Sequence, residues 1–339
     1  MNQKQLEAIQ RKLHGIPNDK ILKAGHGTGT QDTSLYLDHI EAEFNGKGKL
    51  ETYTLYPGIE ITFMDFLTDQ ITFSHEANDS IIEINHCRYG RSGWNMANGG
   101  TIYLGSEDYA IHTMEICARS SMNFPCGYYE GSTICIDIKQ LKENPPELIK
   151  DTGITGDFLY RKFCPNGKFT AFPGSDRTVP IFSAFYDQPE KLRLPYFRLK
   201  IQELLLYLGS MQDSPGRELT QYQADQIESI KEIHEHLIQN LSQRLTIEDL
   251  SKQYLMNTTT LKSVFKAVYG TSLAAHIKEH RMEKAASLLL ETNDRIAQIA
   301  KDVGYDNQSK FTAAFKEVYQ VLPTEYRKQH SVNKEIVRE

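Results

Sequence analysis

The sequence lacks the features that would place it in a membrane or secreted class. Its 339 residues contain no apolar run near the about 18 residues that a membrane span needs, and its N-terminus, MNQKQLEAIQRK, is polar and charged. We therefore expect neither a transmembrane span nor a signal peptide. The five cysteines are odd in number and show no C-x-x-C spacing, which favours free thiols in a reducing cytoplasm. The expected location is cytoplasmic, without membrane contact.

Signatures of catalysis are missing too. There is no G-x-S-x-G, no G-x-G-x-x-G and no P-loop, since GHGTGT (25–30) lacks the Lys-Ser/Thr ending. The histidines of the strand-rich region, His75, His86 and His112, are far apart and lack the H-x-H pattern of metal-dependent cupin enzymes. HEH (234–236) falls in helical sequence, where residues two apart do not share a face. We expect no catalytic residue, no cofactor and no metal ion.

A strong basic excess, the usual mark of a nucleic-acid-binding protein, is also absent. The net charge is −6. Residues 225–339 carry 16 basic and 16 acidic side chains, so the whole deficit falls on the first 224 residues. Charge alone therefore does not argue for nucleic-acid binding.

What is present divides the chain into two kinds of periodicity. Short apolar stretches separated by Gly, Asn and Asp predict strands at 58–66, 80–90, 99–105, 109–116 and 131–139, in a sandwich or small barrel. Within the last, TICIDIK places Ile134, Ile136 and Ile138 on one face of a half-buried strand. The turn GSED (105–108) joins two strands.

Helical patterns dominate after residue 190. An apolar stripe at helical spacing packs either on the chain's own barrel or against the same helix of a second chain. It consists of Phe197, Ile201, Leu204, Leu205 and Leu208. The following GSMQDSPGRELTQ (209–221) is rich in Gly, Pro and polar residues, which predicts an interdomain linker.

The C-terminal half contains an internal repeat. LTIEDLSKQYLMNTTTLKSVFKAVYG (245–270) matches the stretch beginning IAQIAKDVGYDNQSKFTAAFKEVYQ (296–320), with an offset of 49 residues before a central turn and 50 after it. Ile247 corresponds to Ile296, and Phe265 to Phe315. Two copies of one small structural unit are therefore predicted.

Each copy has the parts of a helix-turn-helix. Gly304 can adopt positive φ in the second turn, and Asn257 and Asn307 are natural N-caps of the two second helices. The polar faces of those helices can contact DNA, with amides and hydroxyls nearest the bases and lysines on phosphates. The predicted DNA-binding residues are Thr258, Thr259, Lys262, Ser263, Lys266, Asn307, Gln308, Ser309, Lys310, Thr312 and Lys316.

The spacer between the copies is itself predicted to be a helix. Residues 272–293 would form about 20 residues of helix, roughly 30 Å long. That length is close to one turn of B-DNA, about 34 Å, so both second helices could enter successive major grooves. The alternative is an all-helical domain whose polar faces are only solvated.

At this point the sequence resembles the AraC/XylS family of transcription regulators. The resemblance rests on R-x-x-x-A-x-x-L-L from Arg281, I-x-x-I-A-x-x-V-G-Y over 296–305, and P-x-x-Y-R from Pro323. It implies that the helices beginning near 257 and 307 read DNA. Many members have arginine at the positions of Ser263 and Ala313, and glycine before P-x-x-Y-R. The absence of arginine from positions 263 and 313 argues against strong guanine readout by the side chains there.

The first half resembles the sensor of the PchR-like branch of that family, through CRYGR (87–91), YLGSEDYAI (103–111) and FPCGYYEGSTICIDI (124–138). This implies an α+β chain with a cupin-like β-barrel or sandwich over 1–188, a dimerising helical segment over 189–211, a linker over 212–222, and a double helix-turn-helix over 223–330. The family resemblance favours the subunit interface as the role of the stripe on the 189–211 segment.

Basic and aromatic side chains near the predicted barrel mouth are candidates for effector binding. Arg88, Arg91 and Trp94 could hold an anionic or aromatic ligand, and His86 lies on the same strand as Arg88. They could equally cover the end of the barrel.

The sequence as a whole predicts a regulator that binds double-stranded promoter DNA as a homodimer, answers to a small-molecule effector and works with RNA polymerase. Two alternatives remain open: a cupin metal enzyme fused to a DNA-binding module, and a DNA-binding protein that needs no ligand.

Overall fold

The computed structural model describes residues 3–26, 34–35, 41–74, 76–95, 100–212 and 218–336. His75 lies outside them. The chain divides into two compact units, Met1–Ala224 and Asp225–Glu339. The first is rich in sheet and the second is helical within the described residues, which confirms the predicted α+β class. The finer likeness to a cupin remains a prediction.

Two sheets form the body of the first unit. Its described strands are β1 (Lys20–His26), β2 (Glu41–Phe44), β3 (Lys47–Tyr56), β4 (Ile59–Leu67), β5 (Gln70–Ser74), β6 (Ile81–Gly90), β7 (Ser92–Asn95), β8 (Gly100–Leu104), β9 (Tyr109–Thr113), β10 (Arg119–Asn123), β11 (Tyr129–Asp137), β12 (Thr170–Phe172) and β13 (Gln221–Gln223). One sheet has the order β1-β3-β4-β11-β6-β9-β12, and the other has the order β13-β8-β7-β10-β5-β2. β1 runs parallel to β3, and the other described pairings are antiparallel.

Five helices accompany these sheets in the described part of the first unit: α1 (Gln3–Lys12), α2 (Ile138–Glu143), α3 (Gly156–Phe163), α4 (Thr178–Ser183) and α5 (Arg193–Ser210). The inner strands β4, β11, β6 and β9 of the seven-stranded sheet are covered on both faces. On one face, Met64 and Phe66 pack with Phe73 and Met122 of the other sheet. On the opposite face, Ile134 and its neighbours pack with the buried sides of α3, α4 and α5.

This layering corrects the prediction for TICIDIK. Ile134 and Ile136 do share a core on the helical side. However, Cys135 between them is only 1% exposed, because it packs in the core between the two sheets. The strand is therefore fully buried rather than half-buried, as expected for a central layer. It also ends at Asp137, so Ile138 begins α2.

The apolar stripe of α5 lies inside its own unit. Phe197 is 2% exposed and Ile201, Leu204, Leu205 and Leu208 are fully buried, all in the core on the helical side of the seven-stranded sheet. Of the two interpretations, packing on the chain's own sheet is therefore right for this stripe. The expectation that it forms a subunit interface is wrong, because a side chain already buried has no surface left to bury in a dimer.

Part of the predicted linker is also structured. Residues 213–217 lie outside the described residues, but the backbone N–H of Leu219 donates to Ala171 O (2.8 Å). Gln221–Gln223 then extend the six-stranded sheet beside β8. Residues 219–223 are thus held by the first unit through backbone hydrogen bonds.

The described part of the second unit is built from helices. They are α6 (Ala224–Gln239), α7 (Ile247–Gln253), α8 (Thr258–Tyr269), α9 (Leu273–Glu291), α10 (Ile296–Asp302), α11 (Gln308–Tyr319) and α12 (Pro323–Ile336). The two predicted copies correspond to α7–α8 and α10–α11, and the predicted spacer helix is α9. In the described residues, no helix combines the length and apolar character that a membrane crossing would require.

The C-terminal ends of α8 and α11 provide a stability test. Gln320 ends α11 with φ 62°, and Gly270 ends α8 with φ 78°. Left-handed backbone costs a residue with a Cβ about 1 kcal/mol and costs glycine almost nothing.

We expect Gln320→Gly to raise the free energy of unfolding of the second unit by about 0.5–1 kcal/mol, and Gly270→Ala to lower it by about 1 kcal/mol. Urea denaturation of the full chain, followed by circular dichroism, measures both. A loss of stability in Gln320→Gly would contradict this account of the cap.

Candidate nucleic-acid interface and ligand cavity

The first helix-turn-helix is fixed by local hydrogen bonds at its helix starts. Thr246 and Asp249 form a reciprocal capping box at the start of α7. Asn257 Oδ1 accepts the backbone N–H of Thr260 (2.8 Å) at the start of α8. Asn257 is therefore the N-cap that the sequence predicts, and its side chain sets where the second helix begins.

The second helix-turn-helix follows the same plan. Gly304 adopts φ 83° in the turn, as predicted. Asn307 Oδ1 accepts the backbone N–H groups of Ser309 (2.7 Å) and Lys310 (3.2 Å), which confirms the second predicted N-cap. The first copy has a different turn, because Leu255 holds φ 50° there with 94% of its surface exposed.

Burial of one face fixes how α8 and α11 are oriented. Leu261 and Phe265 on α8, and Phe311 and Phe315 on α11, are fully buried. Side chains on the opposite faces must therefore point away from the core of the unit.

The predicted DNA-binding residues lie on those outward faces. Thr258 and Thr312 are half-buried, and the other nine are exposed: Thr259, Lys262, Ser263, Lys266, Asn307, Gln308, Ser309, Lys310 and Lys316. Two of them already have local partners. Asn307 Oδ1 is occupied by the cap described above, and Ser263 Oγ donates to Thr260 O (3.0 Å). The side-chain oxygen of Asn307 is thus not available to accept a hydrogen bond from a base. Only the side-chain NH2 group of Asn307 remains for the predicted contact with DNA.

The four predicted phosphate-binding lysines are not engaged with acidic groups. Lys262, Lys266, Lys310 and Lys316 form no ion pair with any described residue. By contrast, Lys278 on α9 pairs with Glu317 at 2.6 Å. Unpaired surface ammonium groups can bind a phosphate without first breaking a salt bridge.

Two further exposed lysines are not among the predicted DNA-binding residues. Lys252 and Lys301 are exposed in the last turns of α7 and α10. They are 49 residues apart, which is the repeat offset, so the same alignment that found the second helices contains them. They add a matched pair of positive charges to the first helices.

Arginines of the family signature have a structural role in this chain. Arg281 donates through Nε to Leu241 O and through Nη2 to Gln243 O, both at 2.9 Å. Arg327 donates in the same way to Leu289 O (3.1 Å) and Asp294 O (2.9 Å). Each guanidinium thus holds the segment that precedes one helix-turn-helix.

The first unit contains a cavity of about 260 Å³ with an aromatic and charged lining. Its aromatic residues are Tyr53, Phe63, Phe185, Tyr186 and Phe197, and its charged residues are Lys12, Lys49, Glu51, Asp65, Arg88, Glu130, Asp187 and Arg193. Aromatic side chains beside a few fixed polar groups are typical of small-molecule sites.

Glu130 is the most buried acid of the cavity, at 2% exposure. Its Oε1 accepts from Lys12 Nζ (2.9 Å) and Arg88 Nη1 (2.7 Å). Its Oε2 is buried and has no hydrogen-bond partner among the described residues. A buried oxygen without a donor is costly, so this atom is a natural acceptor for a ligand N–H or O–H.

Neighbouring acids have opposite pKa shifts. Burial raises the pKa of Asp65 to about 6 despite the nearby Lys12 ammonium. Burial also acts to raise the pKa of Glu51, but hydrogen bonds from Lys49 and Tyr53 outweigh it and lower that pKa to about 2. At neutral pH, Glu51 is therefore a firmly ionised acceptor at the cavity wall.

The four side chains predicted to bind an effector do not meet at this cavity. Arg88 lines it, but Arg91 is not among the lining residues. His86 is fully buried behind Tyr186, whose hydroxyl is 3.3 Å from His86 Nδ1. Trp94 is 4% exposed in the core between the sheets. The predicted grouping fails because Trp94 belongs to the six-stranded sheet and Arg88 to the seven-stranded one.

Comparison with known proteins places the C-terminal region in a family. A helix-turn-helix domain model matches residues 250–329. The Transposon Tn10 TetD protein of Escherichia coli is 33% identical over 99 residues, which are 29% of this chain and 72% of that protein. The HTH-type transcriptional regulator ExsA of Pseudomonas aeruginosa is 31% identical over 134 residues, 38% of this chain but only 46% of ExsA.

Among solved structures, the C-terminal domain of AraT, a response regulator from Geobacillus stearothermophilus, is 34% identical over 30% of this chain and 84% of that one, with a TM-score of 0.29. The sequence match to relatives, together with the two helix-turn-helix units and the arginines that brace them, leads to one assignment: the chain belongs to the AraC/XylS family of transcription regulators.

Proposed function

We propose that this protein regulates transcription by binding promoter DNA through the outward polar faces of α8 and α11. One observation carries the proposal: at matched positions of both repeats, hydroxyls, amides and unpaired lysines face outward, opposite a fully buried apolar face. Because the matches span less than half the length of relatives such as ExsA, the activity of the whole chain is part of the proposal.

The length of α9 supports binding to a single duplex. Its 19 residues make a rod of about 29 Å, close to the about 34 Å of one turn of B-DNA. In this proposal, Thr259, Gln308, Ser309 and Thr312 lie nearest the bases, and Lys262, Lys266, Lys310 and Lys316 bind phosphates. RNA polymerase is the proposed partner at the promoter, the protein acts in the cytoplasm, and the proposal assigns no catalysis.

Removing one phosphate-binding lysine from each repeat tests this assignment. We expect Lys262→Ala combined with Lys316→Ala to weaken DNA binding by about tenfold to hundredfold near 0.1 M salt, on specific and unrelated duplexes alike. The slope of log K against log salt should become shallower by about 1.8, because two phosphate contacts are lost.

The matched control is Lys231→Ala, which removes an ammonium that pairs with Glu228 on α6. Fluorescence anisotropy with labelled duplexes at several salt concentrations gives both quantities. A double variant whose salt slope equals that of the wild type would contradict the assignment.

We further propose that the cavity of the first unit binds a small effector. Its lining suits a molecule with a flat apolar body, for the aromatic side chains, and at least one hydrogen-bond donor for Glu130 Oε2. Such an effector regulates only if it binds one conformational state of the protein more tightly than another.

A ligand screen with a cavity variant tests this site. We expect some compounds of that class to raise the melting temperature of the wild-type full chain, because a ligand stabilises the state that binds it. The increase should shrink in Arg193→Gln, which removes a cavity cation 3.0 Å from the Tyr53 hydroxyl. It should persist in Arg161→Gln, an exposed arginine outside the cavity lining. Equal shifts in both variants would place the ligand elsewhere.

A homodimer is proposed through the face of α5 that is not buried. Tyr196, Leu199 and Leu206 on α5 are 40%, 51% and 38% exposed, and Leu192 just before the helix is 50% exposed. Their spacing of four, three and seven residues follows an a/d heptad pattern. Exposed apolar side chains in a row are a common basis for helix pairing between subunits.

Charge placed on that face should prevent pairing. We expect Leu199→Lys with Leu206→Lys to convert a dimer into a monomer in analytical ultracentrifugation, while Leu22→Lys, at an exposed leucine of β1 in the same unit, leaves the dimer intact. A dimer that persists in the double variant would exclude this face.

A further inference from the structure

Three histidines of the second unit lie side by side. His234 is on α6, and His276 and His280 are on α9, with ligand nitrogens that all lie within 4.8 Å of one another. His276 and His280 are four residues apart and share a helix face. His234 and His236, two residues apart on α6, do not share a helix face. The partners of His234 come 42 and 46 residues later.

The separations suit one small metal ion. Two nitrogens bound to an ion at about 2.0–2.1 Å are separated by about 2.9–3.4 Å. The Nε2 atoms of His276 and His280 are 3.1 Å apart. A shift of the His234 ring by about 1–2 Å would complete three-nitrogen coordination. Such a shift is small for a half-buried side chain on a helix surface.

The orientation of His280 also favours ligation. Glu283 Oε2 lies 3.2 Å from His280 Nδ1. A proton on Nδ1 that donates to this carboxylate leaves Nε2 of His280 with its lone pair toward His276, which is the arrangement found around metal-bound histidines.

In the second repeat a phenol replaces the imidazole at the position of His276, whereas the position of His280 keeps an imidazole, His330, which stacks on Tyr326 at 4.3 Å. Tyr326 stands 50 residues after His276, which is the repeat offset. It packs on Phe315 with ring centroids 5.4 Å apart, just as His276 packs on Phe265 at 5.3 Å. A phenol ring thus fills the same place in the second copy. Among the described residues, three potential metal ligands gather only in the first copy.

We propose that His234, His276 and His280 bind one divalent transition-metal ion of the kind that prefers imidazole, such as Zn²⁺, with water as a fourth ligand. The ion would tie α6 to α9 beside Phe265 and Tyr269 of α8, whose rings contact this cluster. This metal site does not rest on the proposed DNA binding, and an ion bound there would brace α8 on its buried side.

Metal titration of the tag-free full chain, stripped with a chelator, tests the site. We expect one Zn²⁺ per chain by isothermal titration calorimetry, a tetrahedral Co²⁺ absorption spectrum, and a higher melting temperature with Zn²⁺. His234→Gln and His280→Gln should each weaken Zn²⁺ binding at least tenfold. Glu283→Gln, which keeps all three ligands, should weaken it about tenfold to hundredfold.

His236→Gln is the matched control. It lies on α6 only two residues from His234, but its Nδ1 is 3.2 Å from the Tyr254 hydroxyl instead. Zn²⁺ affinity should be unchanged in this variant, and circular dichroism should show that every variant retains its helices. Absence of heat and of a Co²⁺ spectrum up to about 1 mM metal would overturn the proposal. Binding that is unaffected by His234→Gln would do the same.

Discussion

The burial of one apolar face on each of α8 and α11 is the constraint on which the proposed DNA interface depends. Phe265 and Phe315 occupy the same repeat position, and both are fully buried. Burying such a side chain is worth about 1.5–3 kcal/mol. Rotating α8 or α11 to hide its lysines would expose these phenylalanines, at a cost comparable to a large part of the stability of a domain. The outward direction of the polar faces follows from this packing.

The residues of the family signature maintain that packing, and their side chains are used inside the unit. Arg281 and Arg327 use their guanidinium groups on backbone carbonyls. Gly304 fits where a Cβ would lie 2.6 Å from Leu241 O. Membership of the family therefore predicts the frame of the interface. In the proposed function, the exposed positions of α8 and α11, among them Ser263 and Ala313, determine which bases can be read.

Sequence reasoning succeeded where a structure is determined locally. The N-caps Asn257 and Asn307 depend on residues a few positions apart. Sequence reasoning failed where the burial of a helix face depends on which other element of the fold packs against it. The burial of the α5 stripe follows from the sheet beneath it, and periodicity cannot distinguish that sheet from a second subunit.

The cavity and the histidine cluster were missed for a related reason. The lining of the cavity draws Lys12, Glu130 and Arg193 from distant parts of the chain. His234 meets His276 only because α6 packs beside α9. Neither grouping has a spacing that a sequence pattern can detect. The repeat offset, by contrast, was visible, and its application to every residue would have revealed Lys252 and Lys301.

The central claim is that α8 and α11 bind one duplex together. Hydroxyl-radical footprinting of the full chain on a selected operator tests it most directly. The account predicts two protected patches of the sugar-phosphate backbone on one face of the duplex, about 10.5 base pairs apart, and loss of one patch when 5 base pairs are inserted between them. A single protected patch, or two patches that both survive the insertion, would contradict it.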